Sequence, residues 1–317
     1  LSEFRLTPKQ EEAQRLLAGQ QTRTLLVGGS RSGKTLFTVR SIVARALAAP
    51  GSRHVILRYR MNACWQAIGL DTMPKVMRLC FPGVVYRTDK TLKYFELPNG
   101  SQIWLGGLDD AQRVEKILGL EFCTIYLNEA SQIPWESVGI VITRMAQVAL
   151  VKIEGHPATP LRQLLLVDAN PPKKNHWTYR LFIEKREPET GQALPNPSDY
   201  AHLLMNPADN VENLPAEYIR TLESLSPRLQ KRFLRGEFAD ANPNGIFDDA
   251  SIEKWRVMDG ELPDMARVVV GVDPSGSGDV DNADNDAIGI VVVGLGTDGI
   301  AYVLEDCTVK AGPATWG

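Results

Sequence analysis

The chain has 317 residues, 44% hydrophobic and 23% charged, a balance that predicts a soluble globular protein long enough for two domains. No apolar run reaches the roughly 18 residues of a membrane span, and Cys64, Cys80, Cys123 and Cys307 form no C-x-x-C pair, which excludes a zinc ribbon or disulfide framework. A formal net charge of −3 argues against a tight static grip on nucleic acid, so any such contact would come from a local patch.

The N-terminus, Leu-Ser-Glu-Phe-Arg, carries no signal-peptide core, and its start on Leu reads as a trimmed or partial chain. Thr7, Pro8 and Gln10 predict a helix entry: Thr as N-cap, Pro at the first helical position, Gln closing a capping box. Residues 24–27 read as a short buried strand, 34–48 as a helix stopped by Pro50-Gly51, and 54–59 as a second apolar strand. Residues 93–97 and 102–105 flank Pro98-Asn99-Gly100-Ser101, a hairpin signal. Two more buried strands are predicted over 122–127 and 163–167. Continuous apolar strands alternating with helices predict an α/β fold, a mostly parallel sheet covered on both faces. A texture rich in Pro and Asn over 195–263 reads as a linker, and three further strands are predicted over 267–273, 287–294 and 300–305. The expected organisation is therefore 1–194, a linker subdomain over 195–266, and a last part over 267–317.

Between the first strand and its helix, Gly28-Gly29-Ser30-Arg31-Ser32-Gly33-Lys34-Thr35 fits G-x-x-x-x-G-K-[ST]. Glycines let successive backbone N–H groups curl around a β-phosphate, and the helix N-terminus adds its positive dipole end. Lys34 would reach the β- and γ-phosphates of ATP, and the Thr35 hydroxyl would ligate Mg²⁺. The fold class so defined is a P-loop NTPase. The strand 124–127 delivers Asn128 and Glu129 to its carboxyl end, as a Walker B strand does. The first of these is ordinarily Asp. An amide there can still accept from a magnesium-bound water but adds no negative charge, so weaker metal binding is expected. Glu129 is placed to orient and deprotonate the attacking water. After Leu164-Leu-Leu-Val-Asp168, Asn170 reads either as a sensor of the γ-phosphate or as an Asn-Pro turn.

Several features in order resemble phage terminase large subunits: Thr7-Pro-Lys-Gln10 as an adenine-contacting glutamine motif, Arg31 inside the phosphate loop, Leu127-Asn-Glu-Ala-Ser131 as the Walker B region, and Asp168-Ala-Asn-Pro-Pro172 as the coupling motif. Lys174-Asn-His-Trp177 and Phe233-Leu-Arg-Gly-Glu-Phe238 resemble segments between the motor and nuclease of that family, and Val270-Gly-Val-Asp273-Pro-Ser-Gly resembles the first strand of its RNase H-like nuclease. The resemblance implies a RecA-like ATPase followed by a partial RNase H-like α/β domain, with Asp273 as the first carboxylate of a two-metal Mg²⁺ or Mn²⁺ site. The residues after 267 are too few for that fold, so the nuclease is expected to be incomplete and this chain not to cut DNA. The acidic loop bearing Asp279, Asp281, Asp284 and Asp286 lacks EF-hand spacing and reads as solvated. Like that loop, Asp306 at a strand end reads either as a cation ligand or as a solvated carboxylate.

A cation at the transferring phosphate is also implied. Arg31 acting in cis and Arg113 acting in trans are the favoured residues, with Lys116 and Arg144 as further options. Arg228, Lys231, Arg232 and Arg235 read better as an amphipathic helix closed by Gly236 than as a DNA-facing patch. The implied function is ATP-driven movement of double-stranded DNA into a procapsid. It would proceed as a pentameric ring on a portal protein with a small terminase subunit as partner, in the cytoplasm of the infected host. The alternatives are another P-loop DNA-dependent ATPase of helicase type, or a nucleotide-binding structural module in which Asn128 marks lost catalysis.

Overall fold

A computed structural model describes residues 4–109, 119–152, 155–239, 252, 254–257, 260–274 and 288–309. The chain divides into two compact units, Leu1–Pro243 and Asn244–Gly317.

In the first unit, helix α1 (Pro8–Ala18) begins with both halves of the predicted capping box in place: Thr7 Oγ1 accepts the Gln10 N–H and Gln10 Oε1 accepts the Thr7 N–H. Strand β1 (Arg23–Val27) runs into the glycine loop and helix α2 (Lys34–Ala48). Strand β2 (Arg53–Arg58) follows, then a continuous helical segment that widens to a π-helix over Trp65–Thr72. Pro74 supplies no N–H, while the Thr72 hydroxyl caps the Ala67 carbonyl at 2.8 Å and the Met73 N–H bonds to Ile68; the wider turn absorbs the misfit. Strands β3 (Arg87–Asp89), β4 (Tyr94–Glu96) and β5 (Gln102–Gly107) form the predicted hairpin and one extra strand. Next come β6 (Thr124–Leu127), the small β7 (Leu150–Val151) and β8 (Thr159–Pro160) pair, β9 (Leu164–Ala169) and β10 (Tyr200–Leu204).

The main sheet has the order β10-β1-β9-β6-β2-β5-β4-β3, parallel from β10 through β5 and antiparallel at the β4 and β3 edge. Alternate residues of its central strands serve opposite faces, which is why those strands read as unbroken apolar runs. Leu25, Val27, Leu57, Ile125, Leu127, Leu165 and Val167 pack with Val138, Trp177 and Phe182. On the other face Ile56, Tyr126, Leu164 and Leu166 pack with Val39, Ile42 and Val43 of α2 and with Ile68 and Val76. Because the strands are parallel, β1, β9, β6 and β2 all point their carboxyl ends to one edge, where ligands bind in open α/β sheets.

The segment expected to be a linker from residue 195 lies, as far as 243, in the first compact unit and supplies β10, paired with β1. The flanks Pro195-Asn196-Pro197 and Asn206-Pro207, rather than the mostly apolar strand residues, hide this strand in the sequence. β10 is an edge strand, half exposed, and its hydrogen-bond partner rather than apolar alternation sets its conformation. The cationic run 228–235 forms the helix Pro227–Gln230 continuing as a π turn over Lys231–Arg235, closed by Gly236 in the left-handed region.

The second unit contains β11 (Met265–Asp273), β12 (Gly289–Gly296) and β13 (Ala301–Asp306) in one antiparallel sheet of that order. Among the described residues, no helix is long and apolar enough to cross a membrane.

Candidate active site

The glycine loop leaves β1 through Gly28, whose φ of +149° few side chains tolerate. The loop is pinned on both sides. The Gly28 N–H bonds to the Ala169 carbonyl at 3.2 Å, the Gly29 N–H to Asn206 Oδ1 at 3.0 Å, and the Ser30 N–H to the Phe233 carbonyl at 3.0 Å. Arg31 is exposed in the left-handed region, and its carbonyl accepts from Asn210 Nδ2 at 2.8 Å. Gly33, with φ +85°, turns the chain into α2, and its carbonyl receives Gln10 Nε2 at 3.4 Å. Gln10 thus caps α1 and braces the loop with the same side chain.

Lys34 is buried, its ammonium donating to the carbonyls of Gly28 (3.1 Å) and Gly29 (2.7 Å) and to Ser32 Oγ (3.0 Å). Burial pulls its pKa down to about 8, against the opposing pull of the Asp168 and Glu129 charges.

The strand ends converge beside it. The register pairs Leu127 with Val167, so the next residues, Asn128 and Asp168, sit side by side. Asp168 Oδ2 accepts from the Thr35 hydroxyl at 2.9 Å; its Oδ1 accepts from Asn128 Nδ2 at 2.9 Å and from the Glu129 N–H at 2.8 Å. Asn128 Nδ2 also donates to the Tyr126 hydroxyl at 2.9 Å, while Asn128 Oδ1 accepts from Arg58 Nε at 2.6 Å. Burial first, then the Asp168 charge, pushes the Tyr126 phenol well above the usual tyrosine range, so it remains a hydroxyl. Glu129 adopts φ +55°, ψ +48°, a conformation costing about 1–2 kcal/mol for a residue with a Cβ. Its N–H bond to Asp168 and a 2.6 Å ion pair to Arg58 hold it there.

One cavity of about 830 Å³ gathers most of the residues singled out from the sequence: Gln10, Ser30, Arg31, Ser32, Gly33, Lys34, Thr35, Glu129 and Asn170 all line it, together with Asp168. Phe4, Leu79 and Tyr218 add apolar surface to its wall. Asn128 lies just beneath, fully buried. Its oxygen is turned to Arg58 and only its NH₂ faces Thr35 and Asp168, contrary to the expected acceptor for a metal-bound water. Arg113, Lys116 and the acidic loop from Asp279 to Asp286 lie outside the described residues. Asp273 ends β11 in the second unit, with β12 between it and Asp306 at the end of β13. Among the described residues no group of three His, Cys, Asp or Glu is arranged to hold a metal ion. The residues that sequence reasoning passed over are Arg58 and the metal-side position of Asp168. Both carried a signal: a charged residue that closes an apolar run at the carboxyl side of a parallel strand.

A glycine loop between β1 and α2, a buried lysine, and acidic residues delivered by two neighbouring parallel strands define a P-loop NTPase. The family model described as phage terminase large subunit matches residues 20–235, and the chain belongs to that family. Its fold is similar to that of the large terminase of a thermophilic bacteriophage, at a TM-score of 0.60 and 14% identity over 96% of this chain and 68% of that one. The same thermophilic-phage protein in complex with ADP aligns at a TM-score of 0.58 and 15% identity, over the same shares of the two chains. The ATPase domain of the Thermus phage P74-26 large terminase aligns at a TM-score of 0.52 and 16% identity, covering 74% of this chain and 95% of that domain. No curated protein matches the chain.

Proposed function

We propose that the chain is the motor of a phage DNA-packaging machine, hydrolysing ATP to move double-stranded DNA into a procapsid. The observation that carries this reading is the meeting of Lys34, Thr35, Glu129 and Asp168 around one cavity at the carboxyl edge of the sheet. In this reading Lys34 and the N–H groups opening α2 hold the β- and γ-phosphates, the Gln10 side of the cavity takes the base, and Glu129 orients the attacking water and accepts its proton. Asn170, at the end of β9, stands on the γ-phosphate side, and Arg31, with Arg113 from a neighbouring subunit, supplies positive charge at the transferring phosphoryl group. The Thr35 hydroxyl beside the Asp168 carboxylate is a hard oxygen pair that would hold Mg²⁺, which would supply positive charge against the charge developing on the phosphates.

The antiparallel order β11-β12-β13, with Asp273 at the carboxyl end of β11, supports reading the second unit as the opening strands of an RNase H-like nuclease. Double-stranded DNA, a portal protein, a small terminase subunit and a ring of copies are the proposed partners, in the host cytoplasm.

The test is ATP turnover by the purified chain with and without double-stranded DNA, beside Lys34→Ala. DNA-stimulated turnover lost in the variant is the expected result. Tight ATP binding without turnover under every condition would reduce the assignment to a nucleotide-binding module. A second expectation follows from Lys34. Above pH 8 part of its population is neutral, and bound polyphosphate would restore the ammonium. Calorimetry in buffers of different ionisation enthalpy should therefore show proton uptake on ATP binding that grows, and affinity that falls, between about pH 7 and 9. Heats and affinities independent of pH and buffer would contradict it.

A further inference from the structure

In P-loop motors the metal shell is completed by an aspartate at the end of the Walker B strand. Here that position is Asn128, and the adjacent strand places a carboxylate beside it. We infer that Asp168 on β9 is the metal-facing carboxylate of this motor, and that Asn128 is a positioning residue which orients it; the inference rests on the nucleotide site proposed above.

Three observations carry it. First, Asp168 Oδ2 is 2.9 Å from the Thr35 hydroxyl, the group that ligates Mg²⁺ in this motif, whereas Asn128 reaches that hydroxyl only with its NH₂, at 3.4 Å. Second, the amide orientation of Asn128 is forced. Its oxygen accepts from Arg58 Nε at 2.6 Å and its nitrogen donates to Asp168 Oδ1 at 2.9 Å. Flipped, the amide would set oxygen against carboxylate and N–H against N–H. The side chain therefore offers donors, not an acceptor, on the Thr35 side. Third, Asn128 is 0% and Asp168 3% exposed, so two carboxylates at these adjoining positions would be buried like charges. One amide and one carboxylate keep a single negative charge at this point. The parallel register lets either strand supply it, because residues 128 and 168 follow the paired Leu127 and Val167.

The experiment measures ATPγS affinity of the 317-residue chain in Mg²⁺ and in EDTA, for wild type, D168N, N128A and N128D/D168N. Wild type is expected to bind more tightly with Mg²⁺. D168N should lose that enhancement by about 10- to 100-fold while binding without metal persists. N128A, which leaves the Asp168 carboxylate without its orienting donor, should fall between wild type and D168N, whereas N128A equal to wild type would remove the positioning role; N128D/D168N, which returns the carboxylate from the other strand, should restore the enhancement. The assignment is overturned if D168N retains the wild-type enhancement, if N128A loses it as fully as D168N does, or if wild type is indifferent to Mg²⁺. Equal weakening of D168N with and without Mg²⁺ would also overturn it, making Asp168 a partner of Lys34 alone. Should D168N fail to fold, N128A decides: enhancement partly kept supports the assignment, and enhancement lost altogether refutes it. Failure of wild type to bind ATPγS at all, with K34A no different, would instead sink the nucleotide-site reading.

Discussion

Glu129→Gln should lower ATP turnover by about 10²–10⁴-fold, the usual contribution of a positioned general base, while leaving nucleotide binding nearly unchanged. The substitution keeps the size of the side chain and an oxygen able to accept from Arg58, so the 2.6 Å contact can survive as a hydrogen bond. What is lost is a group able to take a proton from water. The backbone favours a large effect because Glu129 is held at φ +55° by its own N–H bonded to Asp168, which fixes the direction in which the side chain leaves the strand end. Single-turnover phosphate release, read beside titration with a fluorescent ATP analogue, separates the two steps. Turnover within about tenfold of the parent would remove Glu129 as the base.

Gly28→Ala is expected to be the most damaging small substitution in the loop. An added Cβ would stand 1.9 Å from the Met205 carbonyl oxygen and 2.7 Å from its carbon. The obstacle is backbone at the start of the segment after β10, so no rotamer change relieves it. The Gly28 N–H is also tied to Ala169 on the other side, and the loop cannot simply retreat. Overpacking of this kind, added to the cost of a φ that side chains rarely adopt, should remove roughly 3 kcal/mol or more. In a domain of this size that corresponds to a melting temperature lower by about 6–12 °C. Gly83→Ala, whose new methyl meets nothing within 4 Å, is the matched control. Equal melting of the two variants would show that the β10 segment yields more easily than its hydrogen bonds imply.

That buttress is also where sequence and structure part. The phosphate loop was legible because its chemistry is local: glycines, lysine and threonine must lie at fixed spacing along one turn, whatever surrounds them. The capping box at Thr7 and Gln10 was legible for the same reason, and its contact with Gly33 was not, because the two segments meet only after folding. β10 reads as linker because its short run Tyr200–Leu204 is interrupted by His202 and set between proline- and asparagine-rich flanks; its pairing with β1 makes it a strand. Asn206, Asn210 and the Phe233 carbonyl brace a loop about 180 to 200 residues earlier in the chain, a separation across which pattern and propensity say nothing.

The sequence by itself determined the class of protein: a strand, a phosphate loop and a helix, followed by apolar strands ending in polar residues, define a P-loop NTPase, and the ordered motifs resemble those of a terminase large subunit. It also determined which residues were eligible for chemistry, since Lys34, Thr35 and Glu129 stand at positions fixed by motif. Tertiary structure alone decided how the eligible residues share the work. Strand order put β9 between β1 and β6, so Asp168 arrived beside Thr35 and Asn128. The position of β2 next to β6 brought Arg58 onto the Asn128 oxygen and the Glu129 carboxylate. The physical reason is the same in both cases: side-chain identity is written along the chain, whereas hydrogen-bond partnership across a parallel sheet depends on which strands become neighbours and in what register.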